Sequence, residues 1–215
     1  MKKSFFLVED HSLMRQGITT YLAAHSDFVC AGCASGAEEF LSAMETEDSE
    51  RLCDVLVTDL NLAGGLDAGL SLIRTCKARF PKVKIVVYSM HAASSVVSAA
   101  MSAGADGYVS KISDDAELLA ALSAVLSGKT YIEPQIAAEL VAYERSLSVF
   151  TRRETDILRL ILQGKPNAEI AQSLGIQKRA VENYISRMYD KTGCQNRAEL
   201  SERWGEKVKN DETKS

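Results

Sequence analysis

The chain has 215 residues, of which 46% are hydrophobic and 25% charged, a composition typical of one or two folded domains rather than of a disordered protein. No apolar run approaches the roughly 20 residues that a membrane helix needs, and the run at Phe5–Val8 is too short for a signal peptide. The net charge of −4 is uneven, since residues 1–147 contain 12 Lys+Arg and 19 Asp+Glu, whereas residues 148–215 contain 13 and 10.

An acidic first part and a mildly basic second part indicate two domains with separate roles, with nucleic acid as the natural partner of the second. We expect no membrane partner and a cytoplasmic location. The five cysteines are scattered and odd in number, unlike a disulfide framework. Cys30 and Cys33 form a C-x-x-C, which we interpret as small buried residues of a strand rather than as a metal or redox site.

The first 127 residues alternate short apolar runs with amphipathic helical patterns. The runs predict strands at residues 3–8, 28–34, 53–58, 83–88 and 107–110. The helical patterns lie near residues 12–25, 36–45, 68–79, 93–103 and 114–127. Five alternations predict an α/β doubly wound (βα)5 fold, a parallel sheet with helices on both faces. The strands are continuously apolar, as a sheet buried on both sides requires.

Residues 128–147 are predicted to be a linker that contains a short helix near 135–145. From 148 to 204 the pattern is all-α and more basic, with breaks at Gly164, Pro166 and Gly175. The predicted helices of this second domain are residues 152–163, 167–174, 178–191 and 197–204. Residues 205–215 are predicted to be a polar, frayed tail.

Charged and hydroxyl side chains follow four of the predicted strands: Glu9 and Asp10, then Asp59, Ser89 and Lys111. Ligands of such folds bind outside the carboxyl ends of the strands. Three carboxylates converging there repel one another, and a divalent cation would keep them ionised; Mg²⁺ fits best. Asp59 can then attack phosphorus as a nucleophile, with Lys111 and the metal stabilising the phosphoryl charge. Ser89 offers a hydroxyl donor to a phosphoryl oxygen.

Each of these residues alone has an ordinary structural explanation. Asp10 or Ser12 could cap the first helix, Asp59 could be a turn residue, and Lys111 could be a surface lysine. Their occurrence together at the expected strand ends favours the phosphoryl-transfer site.

Four segments give residues 1–127 a resemblance to a known family. They are Phe6-Leu7-Val8-Glu9-Asp10-His11, Val55-Leu56-Val57-Thr58-Asp59-Leu60-Asn61, Val86-Val87-Tyr88-Ser89 and Gly104-Ala105-Asp106-Gly107-Tyr108-Val109-Ser110-Lys111. As a set they resemble the receiver domain of two-component response regulators.

The resemblance implies that Asp59 is the phosphoacceptor, served by a sensor histidine kinase. It implies a Mg²⁺ site formed by Asp10, Asp59, the Asn61 carbonyl and, through water, Glu9. Ser89 and Lys111 are the implied phosphoryl ligands. Tyr108 is implied to change rotamer on activation, the alternative being a buried core tyrosine.

The chain departs from the family pattern around this site. Glu9 stands where the family more commonly has Asp, and Leu62–Ala68 replaces the usual Met-Pro segment. Gly69 follows Asp59 by ten residues, where the family usually has about eight. The lifetime of the phosphoryl group and kinase recognition therefore cannot be carried over. His91 could tune hydrolysis or be exposed filler.

Residues 178–191 combine an apolar stripe with a polar face. Val181, Ile185 and Met188 recur at i, i+4 and i+7. The other face carries Lys178, Arg179, Glu182, Asn183, Ser186, Arg187 and Asp190, with Lys191 at its end. With the preceding helix and the turn at Gly175, this pattern suits a helix-turn-helix whose second helix enters the DNA major groove. A solvated charged face is equally compatible with the periodicity.

Four further segments resemble the LuxR-type helix-turn-helix. They are Phe150–Glu154, Gly164–Ala171, Leu174-Gly175-Ile176 and Lys191–Leu200. Receiver and helix-turn-helix together resemble the NarL/FixJ class, which implies a homodimer on activation bound to paired DNA half-sites. The candidate DNA-binding residues are Lys178, Arg179, Asn183, Arg187 and Lys191. Gln177 is a poor N-cap, and Glu182 stands where a DNA-contacting lysine is expected.

We therefore predict a regulator in which Asp59 phosphorylation controls dimerisation and sequence-specific DNA binding. The alternative is a protein-interaction regulator that pairs with another regulator and contributes little DNA affinity. A stand-alone enzyme is disfavoured, because the sequence has no cofactor motif and no second acid-base pair.

Overall fold

The computed structural model describes residues 2–45 and 53–209, and the chain divides into two units near residue 137. In the first unit, parallel strands alternate with helices. The strands are β1 Ser4–Val8, β2 Val29–Ala34, β3 Val55–Thr58, β4 Lys84–Ser89, β5 Gly107–Ser110 and β6 Tyr131–Ile132. The helices are α1 Ser12–His25, α2 Ala37–Met44, α3 Leu66–Arg79, α4 Ser94–Ala103 and α5 Asp115–Leu126.

The strands form one parallel sheet in the order β2-β1-β3-β4-β5-β6. Strands β1, β3, β4 and β5 are central, and their side chains are buried on both faces of the sheet. On one face, Phe5, Val57 and Val86 pack with Leu22 of α1 and Leu118 of α5. The α/β doubly wound fold predicted from the sequence is confirmed.

The sixth strand was not predicted from the sequence. The amide of Tyr131 donates to the Asp106 carbonyl and that of Glu133 to the Tyr108 carbonyl, so part of the predicted linker adds a strand to β5. Two residues are too few to give an alternating or apolar pattern. Beyond β6 the linker continues as helix α6, Pro134–Leu147.

The second unit is helical. Its helices are α7 Arg152–Leu162, α8 Asn167–Ser173, α9 Lys178–Thr192 and α10 Arg197–Lys209. Leu158, Ile170, Val181 and Leu200, one from each helix, lie in its core. Helix α10 continues to Lys209, five residues beyond the predicted end, so the predicted tail begins as helix; residues 210–215 lie outside the described residues. No helix within 2–45 and 53–209 is long and apolar enough to cross a membrane.

Candidate functional site

The sheet register gathers the predicted site residues. Val8 pairs with Thr58, and Thr58 pairs with Val87. Ser89 pairs with Ser110 at the ends of β4 and β5. The four central strands end at Val8, Thr58, Ser89 and Ser110. Ser89 and the residues that follow the other three, Glu9, Asp59 and Lys111, therefore lie side by side at the carboxyl edge of the sheet.

Asp59 is at the centre of this edge and is 5% exposed. Its Oδ1 accepts hydrogen bonds from the amides of Leu60 at 2.6 Å and Asn61 at 3.1 Å, and from Ser89 Oγ at 2.6 Å. Its Oδ2 accepts one from Lys111 Nζ at 2.6 Å. Burial raises the pKa of the Asp59 carboxyl, but the bonds from Lys111 and Ser89 outweigh burial and hold that pKa below its usual value. The carboxylate is therefore ionised and available as a nucleophile.

Lys111 joins Asp59 to Glu9. Its buried ammonium lies 2.5 Å from Glu9 Oε2 as well as 2.6 Å from Asp59 Oδ2. Burial lowers the pKa of Lys111, but the two carboxylates outweigh it and raise that pKa above its usual value. The lysine therefore keeps its charge where it can meet a phosphoryl oxygen.

The edge carries a net negative charge. Glu9 and Asp59 share the ammonium of Lys111, and Asp10 adds a third carboxylate beside Glu9, so among these four described side chains the acids outnumber the ammonium by two. The Asp10 side chain is about one-third exposed, and its Oδ1 lies 2.8 Å from Nδ1 of His11. Hard oxygen donors with a double negative excess fit a hard divalent cation such as Mg²⁺.

The structure also tests the capping explanation of this segment. Helix α1 begins at Ser12 with His11 as its N-cap, and that cap forms no side-chain hydrogen bond. Capping by Asp10 or Ser12 is therefore wrong. Glu9 instead accepts the amide of His11 through Oε1 at 3.1 Å, while Oε2 binds Lys111. Glu9 therefore binds Lys111 in the pocket and does not cap the helix.

The candidate switch residue Tyr108 is fully buried. Its hydroxyl donates to the carbonyl of His91, and burial raises the pKa of the phenol well above its usual range. The His91 amide in turn donates to Ser89 Oγ at 3.4 Å. Tyr108 is thus connected through His91 to the hydroxyl that bonds Asp59.

Two glycines shape the segment that follows Asp59. Leu62 and Gly65 form an isolated antiparallel bridge, and Gly65 has a φ of +77°, which favours glycine. A Cβ at Gly69 would lie 2.4 Å from the Leu60 carbonyl oxygen. Only glycine at position 69 therefore lets α3 lie this close to Leu60, the residue after Asp59.

In the second unit, the predicted polar face of α9 is exposed. Lys178, Arg179, Asn183 and Arg187 are all exposed, whereas Val181, Ile185 and Met188 are buried. Glu182 lies on the same face, with its Oε1 3.8 Å from Lys178 Nζ. The turn before α9 uses Gly175 at a φ of +61°, as predicted for a helix-turn-helix.

Lys191 differs from the other candidates. Its Nζ lies 2.5 Å from Oε2 of Glu154, a buried carboxylate that also accepts the amide of Thr151 at 2.7 Å. Thr151 and Glu154 form a capping box at the start of α7. Sequence reasoning missed this box, although the Thr-x-x-Glu spacing is a signal for it. Lys191 therefore has a structural partner within its own unit.

Cys30 and Cys33 lie in strand β2, as predicted, but the prediction that both are buried is wrong. A register shift opposite Phe5 and Phe6 puts Cys30 and Cys33 on one side of edge strand β2, with their sulfurs 3.6 Å apart. Cys33 is exposed and Cys30 is half-buried. Edge position and a bulge, neither readable from residue types, cause the difference.

Comparison with known proteins covers both units. A model of the response regulator receiver domain matches residues 5–123, and a model of the luxR family of bacterial regulatory proteins matches residues 148–203. The nitrate/nitrite response regulator protein NarL of Escherichia coli (strain K12) is 31% identical, covering 92% of this chain and 93% of NarL.

Two solved structures extend this comparison. A LuxR-family two-component response regulator from Aurantimonas sp. SI85-9A1 is 32% identical with a TM-score of 0.61, covering 68% of this chain and 99% of that one. RcsB from Salmonella enterica serovar Typhimurium, solved bound to promoter rprA, is 24% identical with a TM-score of 0.61, covering 92% and 96%. The likeness to RcsB shows a shared fold.

Proposed function

The chain belongs to the response regulators that join a receiver domain to a LuxR-family regulatory domain, the NarL/FixJ class, and we propose that a sensor histidine kinase phosphorylates it on Asp59. Phosphorylation then controls dimerisation and sequence-specific DNA binding, and through them transcription. The observation that carries the proposal is the buried, ionised Asp59 carboxylate held between Ser89 and Lys111.

The two Asp59 oxygens are suited to different tasks. Oδ1 accepts three hydrogen bonds, whereas Oδ2 faces Lys111. Oδ2 therefore forms the new bond to phosphorus, while the phosphorus–nitrogen bond to the kinase histidine breaks and its electron pair returns to the imidazole. Lys111 follows the transferred group and pairs with one of its oxygens, and Ser89 donates to another.

The residues that would hold Mg²⁺ are Asp10, Asp59 and the Asn61 carbonyl, with Glu9 through water. When bound, the ion neutralises charge on the phosphoryl oxygens. Glu9 contributes further by holding Lys111 at 2.5 Å until the phosphoryl group arrives. Asp10, the most exposed of the three acids, is the one that incoming solvent and ligand meet first.

The switch residues act after transfer. Once Ser89 turns toward the phosphoryl group, its contact with the His91 amide changes. The hydrogen bond from the Tyr108 hydroxyl to the His91 carbonyl then changes as well. A fully buried tyrosine responds in discrete rotamers rather than by gradual shifts. Tyr108 thereby reports the state of Asp59 to the surface around β4 and β5.

The exposed face of α9 is the proposed DNA-binding surface. Lys178, Arg179, Asn183 and Arg187 project from it, consistent with a recognition helix in the major groove. The match to the luxR family supports this assignment.

Two observations favour the protein-interaction alternative as a second candidate. Glu182 lies near Lys178, and Lys191 pairs with Glu154, so the basic charge offered to DNA is reduced. A regulator that offers few free cations to DNA phosphates releases few counterions on binding. Its DNA affinity therefore depends on dimerisation or on a partner regulator.

Mobility-shift titration against genomic fragments separates the two candidates. The protein is used with and without a small phosphodonor and Mg²⁺, and the Asp59→Asn variant is the matched control. We expect a subset of fragments to bind about tenfold more tightly after phosphodonor treatment, with no gain in Asp59→Asn. Phosphorylated protein that favours no fragment contradicts the DNA-binding proposal and supports the partner-dependent one.

A further inference from the structure

A buried carboxylate outside the phosphorylation pocket lies at the junction between β6 and α6. Glu133 follows the two residues of β6 and directly precedes Pro134, the first residue of α6. Only 7% of it is exposed. Buried carboxylates are rare unless their oxygens are paired, so the partners of Glu133 indicate its role.

Within the described residues, the hydrogen bonds to this side chain come from the segment around Lys111. Glu133 Oε2 accepts the amide of Ser110 at 3.0 Å, and Oε1 accepts the hydroxyl of Ser113 at 2.6 Å. The amide of Glu133 donates to the Tyr108 carbonyl at 3.1 Å. One residue therefore contacts the chain on both sides of Lys111, the ammonium that binds Asp59 and Glu9.

The other side of Glu133 belongs to α6. Its carbonyl accepts the amide of Ala137 at 2.8 Å, the first hydrogen bond of that helix. Helix α6 runs without interruption across the division between the two units, from Pro134 to Leu147. Because α6 connects the two units covalently, a displacement of Glu133 also displaces the start of that connecting helix.

A carboxylate is the side chain that suits this position. Both donors, a backbone amide and a hydroxyl, point toward it, and each carboxylate oxygen accepts one of them. Glutamine keeps the same shape but offers one acceptor oxygen, so Ser113 must reverse its hydroxyl. Alanine leaves the Ser110 amide buried without its acceptor.

We propose that Glu133 is a positioning residue that couples Lys111 to helix α6; this rests on the proposed function of Asp59. When Lys111 leaves Glu9 for a phosphoryl oxygen, the 110–113 segment shifts and carries the Glu133 carboxylate with it. The start of α6 then moves, and the second unit receives the signal through the helix.

Four variants of the full chain test this coupling. Glu133→Ala removes both acceptor oxygens. Ser113→Ala removes one of the two hydrogen bonds, and it keeps the coupling testable if Glu133→Ala folds poorly. Glu139→Ala, which removes an exposed carboxylate from the same helix, is the matched control. Glu133→Gln is the conservative variant.

Hydrogen–deuterium exchange of unphosphorylated protein is the first measurement and does not depend on the proposed function. Glu133→Ala should raise exchange together in residues 108–113 and in the first turn of α6. Glu139→Ala should raise neither, and Glu133→Gln should restore much of the protection. Faster exchange in only one of the two segments overturns the coupling.

The second measurement is the gain in DNA affinity on phosphorylation, with Asp59 occupancy measured by intact mass. Glu133→Ala should reach wild-type occupancy but lose most of the gain, at least fivefold, and Ser113→Ala should lose part of it. A full gain in Glu133→Ala overturns the inference, as does a loss explained by lower occupancy. A wild-type protein with no phosphoryl adduct instead contradicts the proposed function, while the exchange result still decides whether Glu133 links the two segments.

Discussion

Replacing Glu154 with alanine should destabilise the second unit by an amount that the structure allows us to estimate. The buried carboxylate accepts the Thr151 amide at 2.7 Å, the Thr151 hydroxyl at 2.9 Å and Lys191 Nζ at 2.5 Å. The N-cap bond from the backbone amide of residue 154 to the Thr151 hydroxyl survives this change, so the loss is that of hydrogen bonds to a charged carboxylate, about 1.5–3 kcal/mol. Because the Lys191 side chain is 36% exposed, its ion pair with Glu154 contributes a free energy near the low end of that range. We expect a total loss of about 2 kcal/mol.

Tryptophan fluorescence measures this loss in the second unit alone. Trp204 is the only tryptophan of the chain, and it is buried with its ring 5.1 Å from that of Phe150. In Glu154→Ala the thermal transition should fall by roughly 10 °C. Glu182→Ala, which removes an exposed carboxylate from α9, is the matched control and should shift it little. Equal shifts in the two variants would refute the reasoning.

The same variant has a predictable pH dependence. Burial raises the pKa of Glu154, but Lys191 and Thr151 outweigh burial and hold that pKa below its ordinary value. A carboxyl with a lowered folded pKa stabilises the protein above its unfolded pKa and loses that contribution as the pH falls through the folded value. The difference in stability between wild type and Glu154→Ala should therefore be full at pH 7 and shrink below about pH 4. A difference that stays constant down to pH 3 contradicts this.

Lys111, Glu182 and Cys33 each give a further testable outcome. Lys111→Ala should still bind metal but show weaker phosphorylation-dependent dimerisation in light scattering, because the ammonium senses the phosphoryl oxygens; an unaltered dimer shift places the coupling elsewhere. Glu182→Lys should bind all duplexes more tightly and steepen the salt dependence by about one unit of slope, as fluorescence anisotropy on cognate and scrambled DNA can measure. A loss of about 1–3 kcal/mol at the cognate site alone would instead mean that the carboxylate reads cytosine. Cys33 should be alkylated first by iodoacetamide at neutral pH, since it is exposed, whereas burial raises the pKa of Cys53 to about 12 and of Cys76 to about 11. A peptide map with either buried cysteine modified first contradicts that order.

The fold and the phosphorylation pocket could be predicted because each depends on local pattern and strand order. Buried parallel strands have long apolar runs, and the residues after them meet at one edge, so the sequence alone was enough to place Glu9, Asp59, Ser89 and Lys111 together. The observed contacts among them agree with that placement.

The remaining features depend on tertiary contacts that residue types do not show. Strand β6 is two residues long and forms only because β5 offers an open edge, so no pattern predicts it. The exposure of Cys33 follows from a bulge in an edge strand. Lys191 and Glu154, which pair between helices α9 and α7, are 37 residues apart in the sequence. In each case the structure depends on the tertiary partner that the residue meets, which the residue type alone does not indicate.

The role of Glu133 belongs to the same group. A glutamate before Pro134 has no distinguishing sequence pattern, and its burial depends on β6 joining the sheet. Once the strand forms, the carboxylate meets the Ser110 amide and the Ser113 hydroxyl, and only then does it become part of the signalling route.

Phosphoryl transfer to Asp59 is the central claim, and intact-mass spectrometry after incubation with a small phosphodonor and Mg²⁺ tests it most directly. Wild-type protein should gain the mass of one phosphoryl group, in an adduct that base removes, and the gain should need the metal. Asp59→Asn keeps the size of the side chain but lacks the nucleophile, and it should gain nothing. An adduct of equal yield in Asp59→Asn, or none in the wild type, would contradict the account.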